Sequence, residues 1–103
     1  MNNIAQTIKQ QIGIDTWLAV SARNPQWFLN DDGDTVLRFR FGNRYGLPHF
    51  IDITYRPGRD SYDLKGYKVH RNRCRTVLGD YTDVYADSLG FLIRDINNEA
   101  VFA

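Results

Sequence analysis

The chain has 103 residues, and apolar residues make up 43% of them, which suits one folded domain and excludes a wholly disordered chain. No apolar run reaches the roughly 18 residues that a membrane helix needs, and the first residues lack the pattern of a secretory signal. A single cysteine, Cys74, excludes an internal disulfide and, alone, a cysteine-rich zinc site. The composition predicts one domain over residues 1–103 in a reducing, cytoplasmic compartment, with no membrane partner.

Charge is unevenly distributed, although the formal net charge is only +1. Residues 38–75 hold ten basic and three acidic side chains, whereas residues 80–103 hold one basic and five acidic ones. Arginine outnumbers lysine ten to three, which favours bidentate contacts to carboxylate or phosphate groups. A basic middle between acidic ends indicates an anionic partner.

The first predicted element is a short helix. Ile4, Ile8 and Ile12 recur every fourth residue, and Gly13 follows them. This spacing predicts a helix that ends at Gly13 and places a narrow apolar stripe against another element.

Two extended segments are predicted next, at Trp17–Ala22 and Gln26–Leu29, with a break or bulge at Asn24-Pro25. Trp17 and Trp27 are interpreted as core residues, and an exposed tryptophan would instead indicate a hot spot for partner binding. Residues 30–34 are rich in Asn, Asp and Gly and predict a turn. A calcium loop is the alternative, but the spaced acidic pattern and its distal Glu are missing.

The middle of the chain predicts a β-meander. Strands are expected at Thr35–Phe41, Phe50–Tyr55 and Ser61–His70, with a hairpin turn at residues 56–60 and a bulge at Gly66. The bulge keeps the apolar side chains on either side of it on one face. The side chains expected to face the core are Leu37, Phe39, Ile51, Ile53, Tyr62, Leu64, Tyr67 and Val69.

The C-terminal part predicts one more strand and a helix. The strand is expected at Arg73–Leu78 with Cys74 facing the core, and Gly79-Asp80 ends the sheet. A helix capped at Thr82–Asp83 follows and stops at Asn97-Asn98. The fold class is therefore α+β: about five antiparallel strands, with the N-terminal and C-terminal helices packed on one face.

The other sheet face should be solvated, because two helices cannot cover both faces of five strands. The pleat places six cations and two acids on that face, which makes it a candidate surface for an anionic macromolecule. The residues assigned to partner binding, including those of the neighbouring loops, are Arg38, Arg40, Arg44, Tyr45, Arg56, Arg59, Lys65, Lys68, Arg71, Arg73 and Arg75.

Three functions fit this pattern. The first is a non-enzymatic module that engages a host protein or nucleoprotein complex. The second is direct binding of single-stranded DNA or RNA, which the scarcity of stacking aromatics disfavours. Exterior cations also serve solubility and edge protection, and a cross-strand pair of Arg38 or Arg40 with Asp52 would neutralise part of the face. An edge strand, Arg73–Leu78 or Trp17–Ala22, can pair with a second copy in a homodimer.

The third function is a small metal-free hydrolase or nuclease that uses His49 and His70 as acid and base. Cys74 is interpreted as a core residue rather than a nucleophile. The turn at residues 56–60 (RPGRD) can cradle a phosphate, but a plain hairpin turn is the favoured interpretation. No motif for a cofactor or a metal is present, and none is expected to be bound.

Five stretches resemble a group of small phage-encoded proteins of about 100 residues with no assigned function. They are IKQQIG (8–13), LAVSARN (18–24), LRFRF (37–41), IDITYRPGRDSYDLKGYKV (51–69) and DVYADSLGFLI (83–93). The resemblance implies a phage or prophage origin and a bacterial cytoplasm, and transfers no catalytic residue. By analogy with small phage proteins, it implies inhibition of a host defence or nucleic-acid-handling system.

Overall fold

Helices stand at both ends of the chain, and a β-meander lies between them. The computed structural model describes residues 3–42 and 46–102. The five strands pair in the order β1-β2-β3-β4-β5, each antiparallel to its neighbour, so the predicted α+β fold is confirmed. The elements are α1 (Asn3–Ile12), α2 (Ile14–Ala19), β1 (Arg23–Leu29), β2 (Thr35–Phe41), β3 (His49–Arg56), β4 (Ser61–Val69), β5 (Arg75–Val84) and α3 (Ala86–Phe102).

The core lies between one face of the sheet and the helices, because alternate strand residues are apolar and point the same way. Leu37, Ile53 and Leu64 stand opposite one another in β2, β3 and β4 and are fully buried. Ile8 of α1 and Ile93 of α3 belong to the same buried cluster. The sheet therefore has a helix-covered face and an opposite face, which we call the outer face.

The segment after Gly13 differs from the prediction. Residues 17–22 were expected to be extended, but α2 ends only at Ala19. Gly13 adopts a φ of 85°, which separates α1 from α2. Trp17 then packs on Phe39, with ring centroids 4.9 Å apart. This tertiary contact outweighs the extended preference of the segment, which therefore cannot serve as an edge strand. The predicted bulge at Asn24-Pro25 is confirmed, because the β1–β2 register shifts between Arg23 and Gln26.

Tyr67 and Val69, both expected in the core, lie on the outer face. Gly66 and Tyr67 pair with Ile51 and Phe50 without any shift in the β3–β4 register, so the alternation continues through Gly66. The bulge is in β5 instead, where Leu78 is the extra residue between the partners of Gly66 and Tyr67. The alternation of apolar residues within one strand cannot show which of two paired strands carries a bulge.

The C-terminal elements are longer than predicted. β5 does not end at Gly79-Asp80 but continues to Val84. A second shift in the β4–β5 register, opposite Tyr62 and Leu64, lets the strand bend and stay paired with β4. α3 runs through Asn97-Asn98 to Phe102. Ala100, which follows the expected stop, packs against the core, so the helix gains packing beyond the position where local propensity would end it. No helix in the described ranges is long and apolar enough to cross a membrane.

Candidate binding surface on the outer face and its basic end

Two rows of side chains run across the outer face, because residues opposite each other in the register share a face. The first row is Gln26, Arg38, Asp52, Lys65 and Asp80, one residue from each strand. Its charges alternate in sign from Arg38 onward. Charge along this row is therefore balanced within the molecule.

The second row is built from rings covered by guanidinium groups. Phe50 and Tyr67 stack with centroids 5.8 Å apart and planes 28° apart. Arg75 lies 4.5 Å from the Tyr67 ring centre, and Arg40 lies 6.0 Å from that of Phe50. Planar guanidinium groups stack on rings with their N–H edges free, so the row presents donors rather than open aromatic faces.

Asp52 ties the two rows together. Its carboxylate accepts two hydrogen bonds from Arg38, at 2.7 and 2.9 Å, and lies 3.2 Å from the Tyr67 hydroxyl, which donates to it. The hydrogen bond to Asp52 raises the pKa of Arg38. Burial, followed by the negative charge of Asp52, raises the pKa of Tyr67 to about 12. Arg38 is thus held by the protein's own carboxylate.

Arg56 and Arg59 are also paired. Arg56 lies 3.7 Å from Asp34 and 3.6 Å from Asp63, and Arg59 lies 3.0 Å from Asp83. All these groups lie at the end of the sheet where β3 and β5 finish and β2 and β4 begin. We call it the paired end. Two of the predicted binding arginines are therefore neutralised locally.

The opposite end of the sheet is rich in cations. There β1, β3 and β5 begin, β2 and β4 finish, and residues 70–74 form a turn. The sequence contains no Asp or Glu at residues 20–26, 38–42, 46–51 or 66–79. We call it the basic end. Its cations are Arg23, Arg40, Lys68, Arg71, Arg73 and Arg75.

Among the described residues, no carboxylate forms an ion pair with Arg40, Arg71, Arg73 or Arg75. Lys65, in the middle of the sheet, also forms no ion pair with a carboxylate of the described residues. Arg23 differs from these side chains, since it donates to the backbone carbonyls of Ser21 and Gly42. The position of a predicted binding residue along its strand therefore decides whether it has a carboxylate partner.

Two predicted positions are corrected. Lys68 pairs with His49 and Thr76 on the helix-covered side of the sheet, because the alternation is unbroken at Gly66. Arg73 lies in the turn rather than in a strand and has a φ of 69°. Arg44 and Tyr45 lie outside the described residues.

The turn at residues 70–74 is held by its own backbone. The His70 N–H donates to the Cys74 carbonyl at 2.8 Å, and the Arg73 N–H donates to the His70 carbonyl at 2.9 Å. The Asn72 side chain accepts from the Cys74 N–H at 3.1 Å. Cys74 is exposed, contrary to the prediction of a core cysteine, because β5 begins only after it. This closed turn projects Arg71 and Arg73 into solvent.

The two histidines have separate surroundings. His49 packs on Phe41 with centroids 5.5 Å apart, and burial, followed by the charges of Lys68, Arg23 and Arg40, lowers its pKa. His70 Nε2 lies 2.7 Å from Thr76 Oγ1 in a hydrogen bond. In the part of the chain that the structure describes, no group of three or more His, Cys, Asp or Glu side chains is placed to hold a metal ion.

The cluster of Asp52, Arg38 and Tyr67 was only partly visible in the sequence. The sequence allows Arg38 or Arg40 to pair with Asp52, and the register pairs Asp52 with Arg38. The role of Tyr67 was missed, since its position after Gly66 suggested the core. The absence of acids between residues 64 and 79 was the available signal for the basic end.

Comparison with protein-family models, with curated proteins and with solved structures finds no match for this chain.

Proposed function

We propose that the chain is a non-enzymatic binding module and that its basic end engages an acidic surface of a host protein or nucleoprotein complex. The observation that carries this function is the separation of charge along the strands. At the paired end, Arg56 and Arg59 have carboxylate partners within 4 Å. At the basic end, Arg40, Arg71, Arg73 and Arg75 have none among the described residues. Unpaired cations at one end create a field that steers an anionic partner.

A protein partner fits the outer face better than single-stranded nucleic acid. Base stacking needs an open ring face. Tyr67 is only 1% exposed, and its ring is covered by Arg75 and Phe50. Guanidinium edges are suited to carboxylates, which an acidic protein surface supplies in number. The resemblance to phage-encoded proteins supports a bacterial host complex as the target, blocked by steric coverage.

The function is tested by capture from a nuclease-treated bacterial lysate with two charge-matched variants. Arg71→Gln/Arg73→Gln removes two unpaired cations, and Arg56→Gln/Arg59→Gln removes two paired ones. We expect the wild type and the second variant to retain the same host protein, and the first variant to lose it.

A parallel measurement uses fluorescently labelled single-stranded DNA and RNA at low salt. We expect no shift in anisotropy with the wild-type protein. Retention of the partner by both variants, or capture that disappears after nuclease treatment, would contradict a protein partner at the basic end. Saturable DNA or RNA binding with a steep salt dependence would support the nucleic-acid alternative instead.

A further inference from the structure

A cleft opens on the outer face where the bulge of β1 meets β2. Its walls are Asn24, Pro25 and Gln26 from β1 and Arg38 and Arg40 from β2, with Phe50 beside them. Asn24 has a φ of 54°, and the β1–β2 register shifts there. The bulge therefore leaves a space next to the Arg40 side chain at the basic end.

The two arginines of the cleft differ in what they bind. Arg38 donates from Nε and Nη2 to both oxygens of Asp52. Arg40 has no carboxylate partner among the described residues, and its Nε is buried without a hydrogen bond. An unsatisfied buried donor is costly, and more so when it carries charge. Nε itself has almost no accessible surface, so an oxygen ligand in the cleft would bind the terminal Nη groups of the same guanidinium.

The surroundings of Arg40 select the kind of oxygen ligand. The guanidinium lies 6.0 Å from the centre of the Phe50 ring, and Asn24 and Gln26 line the cleft from β1. None of the lining residues is acidic, so nothing in the walls competes with an incoming anion. The neighbouring pair on the same face, Arg38 of β2 and Asp52 of β3, shows that an arginine of this face can bind a planar carboxylate.

We propose that this cleft is a recognition pocket for a single Asp or Glu carboxylate of the partner, with Arg40 as the residue that binds it. This inference rests on the proposed function, since it names the group that the basic end recognises. Arg40 binds the carboxylate through its guanidinium N–H groups, and Asn24 and Gln26 line the cleft beside it. Arg38 is not the binding residue, because the fork formed by its Nε and Nη2 already holds Asp52.

The test follows the arginine Nε–H signals of the full chain by NMR during titration with N-acetyl-glutamate amide. Inorganic phosphate at equal ionic strength is the second probe. We expect a saturable shift of the Arg40 signal with the glutamate probe, while the Arg38 signal stays in place. With Arg40→Lys, we expect the affinity to fall by about tenfold, because the bidentate fork is lost. Arg59→Lys, at the paired end, is the matched control and should bind as the wild type does.

A second variant keeps Arg40 itself unchanged. Gln26→Glu places a carboxylate in the cleft wall, and we expect it to weaken binding of the external probe without unfolding the protein, because Gln26 is exposed. A uniform shift of all arginine signals, or saturation by phosphate but not by the glutamate probe, would overturn the carboxylate pocket. If Arg40 binds the probe but host-protein capture survives Arg40→Lys and the double variant at the turn, the pocket stands and the proposed function fails.

Discussion

Asp52 is the residue on which the order of the outer face depends. Its side chain is 17% exposed and accepts from Arg38 and from the Tyr67 hydroxyl. Replacing the carboxylate by an amide turns one of the two acceptor atoms into a donor that meets the N–H groups of Arg38. The loss extends to the Tyr67 hydroxyl, which donates to the same carboxylate and belongs to a largely buried side chain.

We expect Asp52→Asn to lower the free energy of unfolding by about 2 kcal/mol, the value of a charge-assisted hydrogen-bond network that loses its acceptor. Urea denaturation measures this. Asp80→Asn is the control, because Asp80 lies in the same row but is exposed, and its change should stay within about 0.5 kcal/mol. Equal effects of the two variants would show that Asp52 does not organise the face.

His49 should make the protein sensitive to acid. Burial, followed by three nearby cations, lowers the pKa of His49 in the folded state below that of the unfolded chain. The unfolded state therefore binds the proton more tightly, and stability is present above about pH 6.5 and is lost as the pH falls through the folded-state value. We expect His49→Gln to lose less stability than the wild type between neutral and mildly acidic pH in urea titrations. Parallel pH curves for the two proteins would contradict this.

At the scale of elements, two glycines allow α3 to pack closely against the sheet. Gly66 and Gly79 stand opposite each other in β4 and β5. A Cβ at Gly66 would collide with Ile96 Cγ2, and one at Gly79 would lie 2.7 Å from Ile96 Cγ1. Glycine is therefore required here by the close approach of a helix rather than by a bulge.

We expect Gly66→Ala to lower the free energy of unfolding by about 1–3 kcal/mol through overpacking. Gly58→Ala is the matched control, because nothing lies within 4 Å of a Cβ at Gly58 in the hairpin turn. Combining Gly66→Ala with Ile96→Ala should cost less than the sum of the two single changes, since the collision is removed. Additive costs in thermal or urea unfolding would mean that α3 does not press on Gly66.

At the scale of the whole molecule, charge location should matter more than net charge. Arg71→Gln/Arg73→Gln and Arg56→Gln/Arg59→Gln change the formal charge equally. The first double variant lowers the positive charge of the basic end. The second removes cations that carboxylates already neutralise. We expect the first variant to elute clearly earlier than the second from a cation-exchange column. Identical elution of the two variants would contradict a localised basic end.

Local patterns in the sequence determined the strands from β2 onward, the two terminal helices and most of the core. They did not determine α2, and Trp27, which was expected in the core, is 43% exposed. The alternation in Thr35–Phe41 needs no partner strand to be recognised, and the turns at residues 30–34 and 56–60 rest on local turn chemistry. The uneven distribution of cations was likewise readable, because it requires only counting along the chain.

Tertiary structure decided what local patterns could not. α2 formed because Trp17 packs on Phe39, and α3 continued past Asn97 because Ala100 packs against the core. Which arginines have carboxylate partners depended on the register between strands, since Arg38 and Asp52 are 14 residues apart and meet only through β2–β3 pairing. Periodicity is a property of a single segment, whereas charge pairing is a property of two segments brought together. The sequence therefore indicated a basic region, and only the fold showed which part of it remains unpaired.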